Sequence, residues 1–507
     1  MATDARRQLS VAAFPDPRDA AHVTYNPTLD ELRAYSEHLE TTTEYGSPSY
    51  VSDFRSRSSA ATRDAVTDDF DDTDYAVLTE GLEWVENAEN DVVCLDRRVG
   101  RNEATSFVCR LFVPREYGRI ALAWAKLLEP AELDAGEEPD FVTVQVPDAD
   151  GPRIRVLPEE GVTSVLGSDY TGEAKKSFLR LFMFRAKQQG GLGLHAGSKR
   201  VHLDDEEGER AVGQVFLGLS GTGKSTLTSH GLWLDEGEST EMLQDDVCAL
   251  LPDGTVTGSE GGGLYIKTIG LEESEQPELY GAATASSAVL ENVAVDADGT
   301  VHFDEPRHGK NARAIVSRDE LDSAGDDIDL DTVDQLFFIT RNPLMPAAAK
   351  LSNRQAAAAF MLGESIETSA GDPSRAGESI RVVGTNPFIV GSKGEEGNRF
   401  RELIAGLGID CYVINTGSVG TADPANVGVA DTVTLLEAIA RGTVEWTTDE
   451  ASGLRIPERV PGLDVSRFDL AGRSTDYAAA RDALREERVD YLEQFEMLDE
   501  EILDAVY

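Results

Sequence analysis

The chain has 507 residues, of which 93 are acidic and 46 basic, for a formal net charge of −47 at pH 7; that imbalance repels a phosphate backbone and excludes a nucleic-acid partner. Apolar residues make up 40% and are spread along the whole chain, which excludes an acidic disordered protein, while the length calls for two or three domains. An acidic surface of this kind stays soluble where salt shortens the Debye length to roughly 3 Å near 1 M, and it reads as that of a cytosolic, halophilic protein.

Taken in chain order, the opening "MATDARRQLS" lacks the apolar stretch of a signal peptide, and no run of 18 apolar residues follows anywhere; neither export nor a membrane span is expected. Residues 1 to about 70 are polar and rich in Ser, Thr and Asp. "SFVCRLFV" (106–113) reads as a strand, "YGRIALAWAKLLE" (117–129) as a helix, and "DFVTVQV" (140–146), alternating in period two, as a strand. "GEAKKSFLRLFMFRAK" (172–187) carries apolar residues at helical spacing and predicts an amphipathic helix. A boundary near 190 then separates an N-terminal domain, 1–190, from a C-terminal one, 191–507.

In the second region "AVGQVFLG" (211–218) predicts a short strand, followed by a glycine loop and a helix starting near Lys224. "LQDDVCALL" (243–251), "DQLFFIT" (334–340) and "IDCYVINTG" (409–417) are further strand-like runs. Residues 363–379 form a long polar loop suited to a lid, and from Thr475 onward the composition is helical throughout. Strands alternating with helices in both regions predict an α/β fold (mixed α+β) with mixed sheets. Cys94, Cys109, Cys248 and Cys411 are scattered, without metal-ligand spacing, as expected of reduced thiols.

The glycine loop carries the first chemistry. Gly218, Leu219, Ser220, Gly221, Thr222, Gly223, Lys224, Ser225 and Thr226 contain the pattern G-x-x-x-x-G-K-[ST]. Glycines let backbone N–H groups turn toward phosphates, Lys224 adds a compact positive charge, and Ser225 offers a hydroxyl to a metal ion. Asp245 and Asp246, some twenty residues on, supply hard oxygen ligands for a divalent cation beside those phosphates. The residues to this point establish a nucleotide-binding phosphotransferase or NTPase.

An ordered series of segments then resembles the family of ATP-dependent phosphoenolpyruvate carboxykinases. It runs through "YTGEAKKSF" (170–178), "LGLHAGSK" (192–199), "GLSGTGKST" (218–226), "EGGGLYIKTIGLEESEQPELY" (260–280) and "VLENVAVDADGTVHFDE" (289–305). It continues through "GKNARAIV" (309–316), "YVINTGSVG" (412–420), "VADTVTLLEAI" (429–439) and "LRIPERVPGLD" (454–464). The resemblance implies an N-terminal substrate domain, a P-loop nucleotide domain and an active site in the cleft between them. It implies a carboxy-lyase that converts oxaloacetate and ATP to phosphoenolpyruvate, CO2 and ADP in gluconeogenesis.

Residue by residue, the resemblance makes Lys176, His195 and Asp246 the ligands of Mn2+, with Mg2+ on Ser225 beside ATP. It gives Lys176, Lys224 and Arg313 catalytic roles, places Tyr170 and Lys176 at the substrate, and sets Arg313 and Thr432 at the nucleotide. Arg57 in "FRSRSSAAT" stands at the family's substrate-binding arginine, with Arg55 the alternative. The chain departs from the family pattern in reading H-A-G-S-K where the family has H-C-S-A-N. It also has Asn426 where an arginine is expected near the adenine, Gln276 in place of a glutamate, and no P-K-D after the N-terminal arginine. Two other readings stay open on the residues: a P-loop kinase acting on a protein or small hydroxyl substrate, and a non-catalytic ATP-sensing regulator.

Overall fold

The computed structural model describes residues 9–205, 208–219, 221–274, 276–366 and 379–507. Two compact units emerge: residues up to 185 with 259–322, and 186–258 with 323–507. One cut near 190 was expected; the chain instead passes between units at 185/186, 258/259 and 322/323. Strand pairing is the reason. Gly263–Lys267, Arg313–Ser317 and Val289–Glu291 build a five-stranded sheet with the N-terminal strands Pro48–Tyr50 and Glu40–Thr42, so a segment some 240 positions away joins the first unit.

The first unit is built on an eight-stranded mixed sheet. Its order is Val23–Tyr25, Val92–Val99, Phe107–Pro114, Phe141–Val146, Val162–Leu166, Arg153–Leu157 and Thr62–Asp64, with Glu129–Pro130 pairing off Val92–Val99. Period-two alternation gives its central strand two different faces. Val142 and Val144 pack with Val77, Leu78 and Val85 of the helix Asp72–Glu86, while the Thr143 hydroxyl meets that of Ser177 on the helix Thr171–Gln188 at 2.8 Å. With a helix on each side, every residue of Phe141–Val146 is buried.

The helix Thr171–Gln188 covers the run expected, but it is not amphipathic in the surface sense: only Lys176, Arg185, Lys187 and Gln188 escape full burial. Its charged positions are satisfied internally. The Lys175 ammonium lies 2.7 and 2.6 Å from the two carboxylate oxygens of Glu260, and Glu173 accepts the Ser58 N–H. A buried ion pair of this kind holds only when its hydrogen bonds are made.

The second unit also has an eight-stranded sheet: Ser239–Gln244, Ala196–Asp205, Gly208–Gly218, Gln335–Thr340, Asp410–Asn415, Ala348–Leu351, Arg455–Arg459 and Glu445–Thr448. Gly208–Gly218, Gln335–Thr340 and Asp410–Asn415 run parallel at its centre. Alternation splits their side chains between two cores. Val215, Leu217, Leu336, Phe338, Cys411 and Val413 face the helices Asn353–Leu362 and Lys393–Leu407. On the other face the rings of Phe216, Phe337 and Tyr412 stack in sequence, at centroid spacings of 5.0 and 5.3 Å, beneath the helix Val429–Arg441.

The run 243–251 is broken rather than continuous, with strands Ser239–Gln244 and Cys248–Leu250 on either side of Asp245–Val247. The expected lid, 363–379, has described flanks that pair as an antiparallel ribbon, Glu364–Ile366 with Ser379–Arg381; residues 367–378 lie outside the described residues. The helical C-terminal run resolves into Tyr477–Leu492 and Glu500–Leu503. All four cysteines are buried thiols. No helix among the described residues is long and apolar enough to cross a membrane.

Candidate active site

In the second unit the chemistry gathers where strands end. Gly208–Gly218 delivers the chain into the glycine loop, and Gly223, at φ 101°, turns it into the six-residue helix Lys224–Ser229; a side chain at that backbone angle would be strained. At Gly218 a Cβ would come within 2.6 Å of Thr222 Oγ1 and 3.1 Å of Ile339 Cβ. The loop is tied from within by the Thr222 hydroxyl donating to Leu219 O at 2.7 Å. It is tied from beyond the strand Asp410–Asn415 by Thr416 Oγ1 donating to Thr222 O at 2.6 Å. Ser220 lies outside the described residues.

The break between Ser239–Gln244 and Cys248–Leu250 puts Asp246 against this loop. Lys224 Nζ stands 3.6 Å from Asp246 Oδ1 and 3.4 Å from its backbone carbonyl. His195 occupies the joint between Leu192–Leu194 and Ala196–Asp205, with its Nε2 3.0 Å from the same Oδ1. Its Nδ1 donates to Thr385 O at 2.7 Å, and Phe388 meets the ring edge-on at 5.9 Å. A carbonyl accepts only, so Nδ1 carries the proton and Nε2 faces Asp246 with its lone pair or a second proton. An imidazole nitrogen fixed by a carbonyl on its far side and set against a carboxylate is the donor arrangement of a divalent-metal ligand pair. Asp245 Oδ1, next in the chain, is buried and without a hydrogen-bond partner among the described residues. His195 Nε2 and Asp246 Oδ1 are donors of the type a divalent cation takes, but among the described residues no three His, Cys, Asp or Glu side chains converge to hold one.

In the first unit a polar chain links the predicted substrate residues. Asn311 donates from Nδ2 to the Tyr170 hydroxyl at 2.8 Å and to Arg55 O at 2.9 Å. Its Oδ1 accepts from Arg313 NH2 at 2.7 Å. The Arg313 guanidinium lies 5.2 Å over the Tyr265 ring, whose hydroxyl donates to Glu291 at 2.6 Å. Burial, with the Glu291 charge beside it, pushes the Tyr265 hydroxyl well above its usual pKa, so it stays a donor.

Arg55 and Arg57 sit on a pinned loop. Asp169 accepts the N–H groups of Asp53 and Phe54 at 2.9 and 3.1 Å, Arg55 NH1 donates to Asn292 at 3.2 Å, and the Ser58 N–H goes to Glu173. Burial pulls the Arg57 guanidinium below its usual pKa, partly opposed by the charge of Glu173. Burial, with the Arg57 charge added, pulls Arg180 down to about 10. Both guanidinium groups feel the charge of Glu173, and Arg180 that of Asp64 as well.

The structure thus brings Lys224, Asp246 and His195 together in one unit, and Tyr170, Arg55 and Arg313 together in the other. Lys176 is half-buried on the helix that carries Glu173 and Lys175. Thr432 is buried, and its hydroxyl donates to Gly428 O within its own helix. Asn426 is exposed. Sequence reasoning missed Asn311, although it lies inside the N-A-R stretch, and it missed the Lys175–Glu260 pair. Thr385 left no signal, because it contributes a backbone carbonyl, at φ 51°.

Residues 47–466 match the family model described as phosphoenolpyruvate carboxykinase. A phosphoenolpyruvate carboxykinase (ATP) of Aeropyrum pernix is 34% identical over 480 residues, 93% of this chain and 94% of that one. Enzymes of the same name from Mesorhizobium japonicum and a Chelativorans species are 31% and 30% identical over 313 and 323 residues. Those alignments cover 60% and 62% of this chain and 55% and 57% of the relatives.

Proposed function

The chain belongs to the ATP-dependent phosphoenolpyruvate carboxykinase family, and from that membership we propose how its residues divide the conversion of oxaloacetate and ATP to phosphoenolpyruvate, CO2 and ADP. The arrangement of His195, Asp246 and Lys224 around one carboxylate oxygen is the observation that supports the reading best.

The reaction breaks a C–C bond, sends its electron pair into an enolate, and transfers the γ-phosphoryl of ATP to the enolate oxygen as the bond to ADP breaks. Lys224 sits at the start of the loop helix, where its charge offsets the charge spreading over the phosphoryl oxygens. Arg313, oriented by Asn311 and the Tyr265 ring, has the planar guanidinium that the family pattern assigns to the transferring phosphoryl. Arg57 or Arg55 grips the carboxylate that oxaloacetate keeps, and Tyr170 lines the substrate beside it. His195 and Asp246, joined by Lys176 in the family pattern, are the ligands for Mn2+, and Ser225 is the ligand for Mg2+ with ATP. A lysine can ligate only as the neutral amine, so Lys176 would hold the metal in that form. When bound, the Mn2+ supplies Lewis acidity for the charge that decarboxylation leaves on the substrate oxygen. We read the net charge of −47 as the adaptation of a cytoplasmic protein to high salt.

The test is the reverse reaction. Phosphoenolpyruvate, bicarbonate and ADP with Mn2+ should yield oxaloacetate and ATP; phosphorylation of hydroxyl substrates alone, without carboxylation, overturns the reading. His195→Ala should lower kcat by about two to three orders of magnitude while ATP binding is largely retained. Wild-type turnover in that variant removes the metal role of His195.

A further inference from the structure

The helix that carries Lys224 and Ser225 has six residues, too few to hold its shape unaided. Gly223 gives it no side-chain cap at its start. Its last carbonyls point out of the helix end without intrahelical donors. There the strand Ala196–Asp205 supplies Lys199, whose side chain is fully buried. Lys199 Nζ donates to Leu227 O at 2.7 Å and to His230 O at 2.8 Å, placing its amine at the negative end of the helix. The ammonium lies 5.5 Å from the centre of the Phe216 ring.

The same corner is tied again by His230. Its Nδ1 accepts the Leu232 N–H at 2.9 Å, and the Trp233 ring meets the imidazole edge-on at 5.4 Å. Leu232 and Trp233 both hold left-handed backbone, at φ 58° and 52°, which non-glycine residues adopt only where surrounding contacts impose it. Two positions before Lys199, a Cβ on Gly197 would come within 2.4 Å of Thr228 Oγ1, so the helix is seated directly on this strand. Burial pulls the pKa of Lys199 down to about 7. An amine buried at such cost is not space-filling, for which Met or Leu would serve. In the motif H-A-G-S-K it takes the fifth position, where the family's H-C-S-A-N has asparagine.

We infer that Lys199 is a positioning residue for phosphoryl transfer: by clamping the Leu227 and His230 carbonyls it fixes the C-terminal end of the loop helix and thereby the placement of Lys224 and Ser225. It acts on ATP only through those residues, so the inference rests on their reading as the phosphate-binding pair.

Lys199→Met keeps the length and removes both donors, whereas Lys199→Gln keeps an N–H donor without charge. In the full-length enzyme the Met variant should weaken Mg·ATP binding in an equilibrium titration and raise the KM for ATP by about ten-fold or more. The KM for oxaloacetate and the Mn2+ affinity should stay unchanged, and the Gln variant should recover part of the loss. A folded Met variant with wild-type ATP affinity and KM overturns the inference. Should the Met variant not fold, the Gln variant decides: wild-type ATP affinity overturns the inference, and weakened ATP affinity at unchanged oxaloacetate KM upholds it. Lys224→Met separates the two levels. If it binds ATP as tightly as wild type, the reading of the loop fails; if it binds weakly while Lys199→Met is normal, only the role of Lys199 fails.

Discussion

Asn311 joins three groups that the sequence named separately: the Tyr170 hydroxyl, the Arg55 carbonyl and the Arg313 guanidinium. Asn311→Ala removes the shared partner and leaves three buried or half-buried polar groups to find water, at about 1–3 kcal/mol for each one stranded. The expected outcome is a fall in kcat/KM for oxaloacetate of about ten- to a hundred-fold, read from initial rates. A wild-type kcat/KM for oxaloacetate would count against Asn311 acting through Tyr170 and Arg313. Glu364 is held by a network of its own. Burial pushes its carboxyl pKa up, but the charges of Arg488 and Arg381 and the Asn342 amide overcome that and hold it at about 2. Its Oε1 lies 2.7 Å from Arg488 NH2 and its Oε2 2.8 Å from Arg381 NH2. The folded pKa is below the unfolded one of about 4.3, so this contribution is fully present above that pH and is lost as pH falls toward about 2. Glu364→Gln removes the charge that both guanidinium groups share, leaving Arg381 only Glu487 at 2.8 Å and Arg488 only the Tyr507 carbonyl among oxygen partners in the described residues, and should cost about 3–5 kcal/mol at neutral pH. It should also flatten the acid limb of the stability curve in denaturant titrations; a variant as acid-labile as wild type would remove Glu364 from that limb. Residues of this kind show where sequence reading stops. Lys224 and Asp246 were legible as candidates from the glycine loop and the Asp pair, and His195 from the resemblance to the family. Asn311, Thr385 and Glu364 were not, because their roles exist only through partners distant in the chain.

Among elements, the strands at the centre of the second unit were readable because alternation leaves a record in composition. Phe216, Phe337, Ile339, Tyr412 and Ile414 fall on one face of the sheet, and Val215, Leu217, Phe338 and Val413 on the other. The helix Thr171–Gln188 was readable in extent but not in burial, since Lys175 and Glu173 look like solvent-facing charges until their partners Glu260 and Ser58 are known. The units themselves were not readable: the register that joins Leu290 to Ser49 is a long-range pairing with no local signature. The glycine loop is the element where local and distant constraints coincide. Gly218 is required by what surrounds it, since Thr222 Oγ1 and Ile339 would meet any Cβ placed there. Gly218→Ala must therefore push Thr222 away from Leu219 and disturb its tie to Thr416. That shift should raise the KM for ATP by about ten-fold or more, with a destabilisation of about 1–3 kcal/mol from overpacking. Kinetics at saturating oxaloacetate and thermal unfolding would read the two effects. A variant destabilised but kinetically normal would show that the loop tolerates the shift.

For the molecule as a whole, the net charge of −47 is a quantity that local packing cannot offset. Ion pairs buried in the units, such as Arg110–Asp96 at 2.8 Å and Lys175–Glu260 at 2.6 Å, are enclosed by protein and barely sense added salt. Exposed carboxylates behave differently, because each repels every other within a Debye length, which falls from about 10 Å at 0.1 M to about 3 Å at 1 M. Folding gathers these charges and unfolding disperses them, so their repulsion opposes the folded state and fades as salt rises. The midpoint of thermal unfolding should therefore climb as KCl is raised from about 0.1 M to about 2 M, most steeply over the range in which the screening length shrinks fastest. Sucrose favours compact states by exclusion from the surface without screening charge, and it should not reproduce the climb at low ionic strength. Neutralising exposed acids should act in the same direction as salt. A multiple Asp→Asn and Glu→Gln variant at positions outside the ion pairs should begin with a higher midpoint at low salt and gain less from KCl. A midpoint that stays level or falls across that range, or that sucrose raises as effectively as KCl, would show that charge repulsion is not what limits this protein's stability.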